Sequence, residues 1–158
     1  MDFEGLLRRL GDVEFILVGG LAATVHGSAR STSDVDVVYD RSRTNVERLV
    51  TALEELDPYL RGAPRGLPFE WSAATVLAGL NFTLTTSLGD LDLLGEIPGG
   101  GTYQDLLPDT VIVDLFDQEV RCLSLEKLLD TKRAAGRARD LEAIAELEAI
   151  REERGDSV

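Results

Sequence analysis

The chain has 158 residues, of which 44% are hydrophobic, so it can bury a core and a disordered chain is excluded as a general description. Its 29 acidic residues against 16 Lys and Arg give a net charge of -13. Such a surface repels duplex DNA and RNA at long range, so no duplex nucleic acid is expected as a partner. We expect one domain over residues 1–158, with a core over about 1–123 and C-terminal helices over about 124–154.

The sequence also bears on the compartment. No apolar run approaches the roughly 20 residues that a membrane helix needs, so no membrane partner is expected. The N-terminus is acidic and lacks the layout of a signal peptide. Cys122 is the one cysteine, which excludes an internal disulfide. Together these features predict a cytoplasmic protein.

Helical spacing of apolar residues predicts helices, and short β-branched or alternating runs predict strands. In the first half of the chain the predicted elements are a helix over 2–10, a strand over 15–18, a helix over 21–26, a strand over 34–39 and a helix over 44–56. The segment 57–71 contains Pro58, Pro64 and Pro68, and it is predicted to be largely irregular.

The second half of the chain carries two hairpin patterns and two helical patterns. Its predicted elements are a helix over 72–77, strands over 80–86 and 91–94 around a turn at 87–90, a glycine-rich loop over 98–101, a helix over 102–107, strands over 111–116 and 119–123, and helices over 124–136 and about 137–152. This order predicts an α/β (α+β) fold: a mixed, partly antiparallel sheet flanked by helices, with a C-terminal helical hairpin.

Two carboxylates stand one residue apart on the strand over 34–39. Asp34 and Asp36 point to one face because side chains alternate along a strand, and they lie about 7 Å apart. They repel each other unless a cation lies between them, and hard oxygen ligands of this kind suit Mg²⁺. Asp92 lies on a later predicted strand. If the two strands are neighbours, three carboxylates can hold two Mg²⁺ ions roughly 4 Å apart, an arrangement that activates a hydroxyl and stabilises a leaving pyrophosphate.

The pair Gly19-Gly20 lies between a predicted buried strand and a predicted helix. Exposed N–H groups at the start of a helix favour a phosphate, so these glycines are predicted to bind one. The spacing Gly-x-Gly-x-x-Gly of dinucleotide-binding oxidoreductases is absent here, which disfavours that class of enzyme.

The stretch from Val18 to Asp36 resembles the signature of the DNA polymerase beta-type nucleotidyltransferase superfamily. That signature is an apolar strand, a Gly-Gly pair, a spacer and two acids separated by one apolar residue, with a third acid on a later strand. The chain is similar in particular to small bacterial toxin-type (AbiEii-like) nucleotidyltransferases. The motifs that they share with it lie here over His26–Thr32, Gly89–Leu94 and Lys132–Arg137.

The resemblance implies a nucleotidyltransferase fold, a nucleoside triphosphate (NTP) as substrate, and Mg²⁺ or Mn²⁺ as the metal. It implies that Gly19 and Gly20 contact the triphosphate. It implies further that Asp34 and Asp36 bind metal, and that Asp92 is the third catalytic acid, acting as ligand or base.

Basic and polar residues elsewhere complete the predicted nucleotide site. Lys132 continues the apolar stripe of its helix, so it either extends to solvent or reaches an anion in a cleft. The resemblance implies phosphate-side roles for Lys132 and Arg137. Ser28 and Arg30, on the loop before the acidic pair, are also candidate nucleotide-binding residues, although an exposed loop arginine is the default interpretation of Arg30.

Two functional hypotheses follow. The first is an enzyme that transfers a nucleoside monophosphate from an NTP to a hydroxyl on a small molecule, a protein or an RNA end, with metal-dependent release of pyrophosphate. The alternative is a non-catalytic nucleotide-binding module or a toxin/antitoxin-type regulatory module on the same fold, with a possible partner protein.

Overall fold

The computed structural model of the protein describes residues 1–156. Over these residues the strands are β1 (Phe15–Val18), β2 (Asp34–Tyr39), β3 (Tyr59–Leu60), β4 (Phe82–Thr86), β5 (Gly89–Leu94), β6 (Glu96–Ile97), β7 (Gly101–Thr102), β8 (Thr110–Leu115) and β9 (Gln118–Leu123). The helices are α1 (Phe3–Arg9), α2 (Gly19–Val25), α3 (Arg43–Leu53), α4 (Ala73–Ala78), α5 (Tyr103–Leu106), α6 (Leu125–Ala135) and α7 (Leu141–Asp156).

Seven of the strands form one sheet in the order β3-β4-β5-β2-β1-β9-β8, and β6 pairs with β7 in a separate ribbon. The central strand β2 runs antiparallel to β1 and parallel to β5. The hairpins β4–β5 and β8–β9 extend the sheet on either side. The predicted fold class, a mixed and partly antiparallel sheet flanked by helices, is therefore confirmed.

The burial pattern of the two central strands decides where polar side chains can lie. All four residues of β1 are buried, as its continuous apolar run predicts. In β2, Val35 and Val37 are buried in the core, whereas Asp34 and Asp36 are only half-buried. Alternation along β2 therefore anchors the strand through its valines and presents both carboxylates on the opposite face.

The segment 57–71 is largely irregular, as predicted, apart from β3, which pairs with β4 as an edge strand. Two other segments differ from the sequence-based expectation for strands. The loop predicted over 98–101 supplies Gly101 to β7. The β4–β5 hairpin turns at Ser87 and Leu88, so Asp90 belongs to β5 and not to the turn.

Two helices begin at residues other than those predicted. Helix α2 begins at Gly19, so both glycines form its first turn instead of preceding it. The last helix begins at Leu141 because residues 138–140 form a 3-10 turn after an extended Arg137. Among the residues that the structure describes, no helix has the length and apolar character that a membrane span requires.

Candidate active site

The three predicted acids converge on one face of the sheet. Strands β2 and β5 are parallel neighbours, and their register places Asp36 directly beside Asp92. One carboxylate oxygen from each of Asp34, Asp36 and Asp92 lies within 4.8 Å of the other two. Three hard oxygen donors at this spacing fit a divalent cation of the Mg²⁺ or Mn²⁺ type.

Repulsion within this carboxylate cluster (Asp34, Asp36 and Asp92) contributes to raised pKa values in two of its members. Burial, the charge of Asp34 and a hydrogen bond with Asp92 together raise the pKa of Asp36 to about 8. Burial and the charge of Asp92 also raise the pKa of Asp34. The cluster therefore holds a proton at neutral pH, and a cation that binds there displaces it.

Gly19 brings the start of α2 against the carboxylates. It has a φ of +69°, and a Cβ at this position would collide with the carboxylate of Asp36. A Cβ at Gly20 would lie 2.7 Å from Oγ1 of Thr32. Glycine is thus required at position 19 for the backbone conformation and at both positions for the close approach of α2 to its neighbours.

The carboxylates and glycines face a cavity of about 550 Å³. Its acidic wall is Asp34, Asp36 and Asp92, next to Gly19 and Gly20. Its basic wall comes from the C-terminal segment and consists of Lys132, Arg137 and Arg139. The cavity thus offers both carboxylates that suit metal ions and cations that suit phosphates.

The sequence matches no protein-family model and no curated protein. Solved structures do match: one is the lincosamide antibiotic adenylyltransferase LnuA with lincomycin bound, at 18% identity and a TM-score of 0.58, with 94% of this chain and 98% of LnuA covered. Another is a protein of Thermotoga maritima described as a candidate nucleotidyltransferase, at 15% identity and a TM-score of 0.50, with 96% and 89% covered.

The chain has the nucleotidyltransferase fold. Both solved neighbours span nearly the whole chain, which supports the resemblance to the superfamily at the level of fold. The narrower likeness to toxin-type members stays a prediction.

On this nucleotidyltransferase fold, Lys132 and Arg137 reach the cavity while sharing a buried acid. Lys132 follows Leu128 by one turn of α6, and its side chain is 19% exposed. Its Nζ lies 3.9 Å from Oδ1 of Asp140, and Arg137 donates to Oδ2 of Asp140 at 2.7 Å. Burial works to raise the pKa of Asp140, but the hydrogen bond and charge of Arg137 and the charge of Lys132 outweigh it and lower that pKa.

Ser28 and Arg30 do not line this cavity. The hydroxyl of Ser28 donates to Glu146 at 2.5 Å, and Arg30 pairs with Glu142 at 3.3 Å. Both acids belong to α7, so these contacts tie the loop before β2 to the C-terminal helix. The geometry gives the two residues a structural role and lends no support to a phosphate role.

Sequence reasoning missed Arg61, which lies against the acidic wall. Its Nη2 is 2.7 Å from Oδ1 of Asp92, its Nε is 3.3 Å from Oδ2 of Asp90, and its Nη1 is 3.9 Å from Oδ2 of Asp34. Arg61 lies in the segment that was expected to be irregular, directly after the two-residue strand β3. No periodic pattern marks such a position, so only the strand pairing reveals it.

Proposed function

We propose that this protein is a Mg²⁺- or Mn²⁺-dependent nucleotidyltransferase that moves a nucleoside monophosphate from an NTP to a hydroxyl of an acceptor. The observation that carries the proposal is the convergence of three carboxylates from two neighbouring strands in a cavity that is also lined by basic residues. Raised pKa values within the cluster fit a site whose charge is balanced only when a cation is bound.

Each wall has a separate task in this reaction. Asp34, Asp36 and Asp92 would hold the metal, which supplies charge neutralisation at the reacting phosphate and at the departing pyrophosphate. Lys132 and Arg137 would bind phosphate oxygens. Asp140 holds these two cations in place, so that little side-chain freedom is lost when the triphosphate binds.

We propose a small molecule as the acceptor. A second cavity of about 590 Å³ adjoins the first, and the two share Asn81, Glu96, Ile97 and Pro98. This gives an acceptor room beside the carboxylates, between polar and apolar groups. The net charge of -13 also disfavours a nucleic acid end in that place. LnuA, the adenylyltransferase solved with lincomycin bound, has a similar length and fold.

The test is pyrophosphate release. The full chain is incubated with Mg²⁺, each of ATP, GTP, CTP and UTP in turn, and a filtered extract of small metabolites as the acceptor source. We expect release with at least one NTP, and a product that mass spectrometry identifies as a nucleotidylated small molecule. Asp34→Asn and Asp36→Asn should each lower the rate by at least about 100-fold, because each removes charge stabilisation from the transition state.

The matched control is Asp114→Asn, on the exposed side of β8 and outside the cavity, which should keep the full rate. Full activity in both Asp34→Asn and Asp36→Asn would refute the assignment. Calorimetry with the same four nucleotides distinguishes the enzyme from the alternative, a module that binds nucleotide without turnover. Nucleotide binding without pyrophosphate release from any acceptor would favour a non-catalytic or toxin/antitoxin-type module.

A further inference from the structure

The side chain of Arg61 crosses β4 and reaches the carboxylate cluster. Its backbone N–H donates to Thr83, and Thr83 is the register partner of Asp92. Thr83 is small and exposed, and neighbouring strands lie about 4.8 Å apart, so the long arginine side chain can pass over β4 to reach β5. The guanidinium also donates to the carbonyl of Leu84 at 2.7 Å, which fixes it over that strand.

The guanidinium of Arg61 lies among several acidic side chains. Its side chain is 27% exposed, and it lies within 4 Å of carboxylate oxygens of Asp34, Asp90 and Asp92. Its Nε is buried, and no described residue accepts a hydrogen bond from it. The guanidinium therefore combines hydrogen bonds to Leu84 and Asp92 with the attraction of Asp34 and Asp90.

The same acids are the ones that a metal ion would need. Arg61 binds Oδ1 of Asp92, and a carboxylate has a second oxygen that can still face Asp36. One fixed positive charge therefore stands beside the proposed metal site. It stabilises the gathered carboxylates when no metal is present, and it repels a divalent cation that approaches them.

We propose that Arg61 is a built-in counter-cation that holds the carboxylate cluster together and weakens metal binding to the nucleotide-free protein. Firm metal binding then requires the negative charge that the triphosphate brings, so that metal and nucleotide enter together. This inference rests on the proposed function, since it assigns the cluster to a metal, but it can be measured without turnover.

The experiment is a titration of the nucleotide-free full chain with Mn²⁺ alone, followed by electron paramagnetic resonance of the unbound ion. We expect Arg61→Gln to bind Mn²⁺ at least about tenfold more tightly than the wild type, because a unit charge a few ångströms from the ion is removed. Arg61→Lys keeps the charge and should stay within about threefold of the wild type. Without metal, Arg61→Gln should melt at a lower temperature than the wild type, and Mn²⁺ should raise its melting temperature more.

The matched control is Arg65→Gln, which removes an arginine from the same segment. Arg65 pairs with Asp57 at 3.5 Å, away from the cluster, so this variant should bind Mn²⁺ as the wild type does. A residue that only supports the local structure would give weaker binding when it is removed. Equal or weaker Mn²⁺ binding in Arg61→Gln would therefore overturn the proposal, and so would an Arg61→Lys variant that behaves like Arg61→Gln.

A second measurement covers an Arg61→Gln protein that fails to fold without metal. Circular dichroism then follows folding as Mn²⁺ is added, and we expect folding at a lower Mn²⁺ concentration than half-saturates the wild type. Failure to fold at any concentration counts against the proposal. If Mn²⁺ binds as expected but no pyrophosphate is released, the proposed function fails and the role of Arg61 stands. If Mn²⁺ binds to neither protein, both fail.

Discussion

The acidic and basic walls of the cavity differ in how their charges are balanced. The acidic wall lies on β2 and β5, in the middle of the sheet, and its carboxylates crowd one another with Arg61 as their internal cation. The basic wall lies on α6 and the turn that follows it, where Asp140 already pairs with Lys132 and Arg137. The acidic wall therefore crowds like charges on central strands, whereas the cations of the basic wall share an acid at the edge of the fold.

The acidic wall thus has the character of a ligand site, whereas the basic wall resembles an ordinary ion-pair network. Crowded carboxylates destabilise the protein that carries them, so they persist where a ligand or a reaction needs them. Cations that are paired with an acid stabilise the folded protein without any ligand. Removing a carboxylate from the acidic wall should therefore raise stability, whereas removing a cation from the basic wall should lower it.

The largest of these effects is expected at Asp36. Its pKa is higher in the folded protein than the ordinary 3.8, so the folded state binds a proton that the unfolded chain has lost, up to about pH 8. Stability therefore falls as pH rises through this range. At pH 7.5 and without metal, Asp36→Asn should raise the free energy of unfolding by roughly 1 to 3 kcal/mol, a range reduced for the partial exposure of the group.

Urea unfolding at pH 7.5 and at pH 4 provides the measurement. At pH 4 the unfolded chain has regained a large share of this proton, because the ordinary pKa is 3.8, so the difference from Asp36→Asn should be much smaller than at pH 7.5. In Mg²⁺ the wild type should gain stability and Asp36→Asn should gain little. A variant that is less stable than the wild type at pH 7.5 would mean that the acidic wall is structural.

On the basic wall, removing a charge should lower the free energy of unfolding instead of raising it. Lys132→Gln leaves Asp140 with fewer cationic partners, so the free energy of unfolding should fall by about 0.5 to 1 kcal/mol. Loss of one phosphate partner should also weaken NTP binding about tenfold, which calorimetry measures. Arg133→Gln is the matched control, because Arg133 lies on the same helix and pairs with the exposed Glu148. A Lys132→Gln variant that binds NTP as tightly as the control would remove Lys132 from the site.

The smallest effect is expected behind the basic wall, at His26. Its Nε2–H donates to Leu123, next to α6, and its Nδ1 accepts from Arg154 on α7. Burial lowers the pKa of His26 below 6.5, with a further contribution from the charge of Arg154. As the pH falls, the unfolded chain takes up this proton at a higher pH than the folded protein does. The contribution of His26 to stability is therefore fully present above pH 6.5 and is lost as pH falls toward the folded pKa.

Urea unfolding between pH 7.5 and pH 5 checks this effect at His26. Asp36 contributes a gain in stability on acidification in both proteins. The wild type should gain less over this range than His26→Gln, because only the wild type has a histidine whose protonation favours the unfolded chain. Equal changes in the two proteins would show that His26 does not contribute to the pH dependence.

The sequence predicted most of the acidic wall because its pattern is local. Asp34 and Asp36 share a strand, and Asp92 lies on a strand whose alternation is readable. Arg61 could not be found in this way, since its contacts cross β4 and depend on a two-residue edge strand. The pairing of Arg30 with Glu142 of α7 joins residues 112 positions apart, and no local pattern encodes it.

The position of β2 in the strand order has a consequence for how such a protein can diversify. Strands on both sides clamp β2, so its backbone is among the parts of the molecule least free to move. The ribbon β6–β7 consists of two-residue strands outside the seven-stranded sheet, and its Glu96 and Ile97 line the cavity. Mutation can change this ribbon while the central strand stays as it is. Under the proposed function, a change of acceptor would then alter the ribbon and leave the chemistry of nucleotidyl transfer in place.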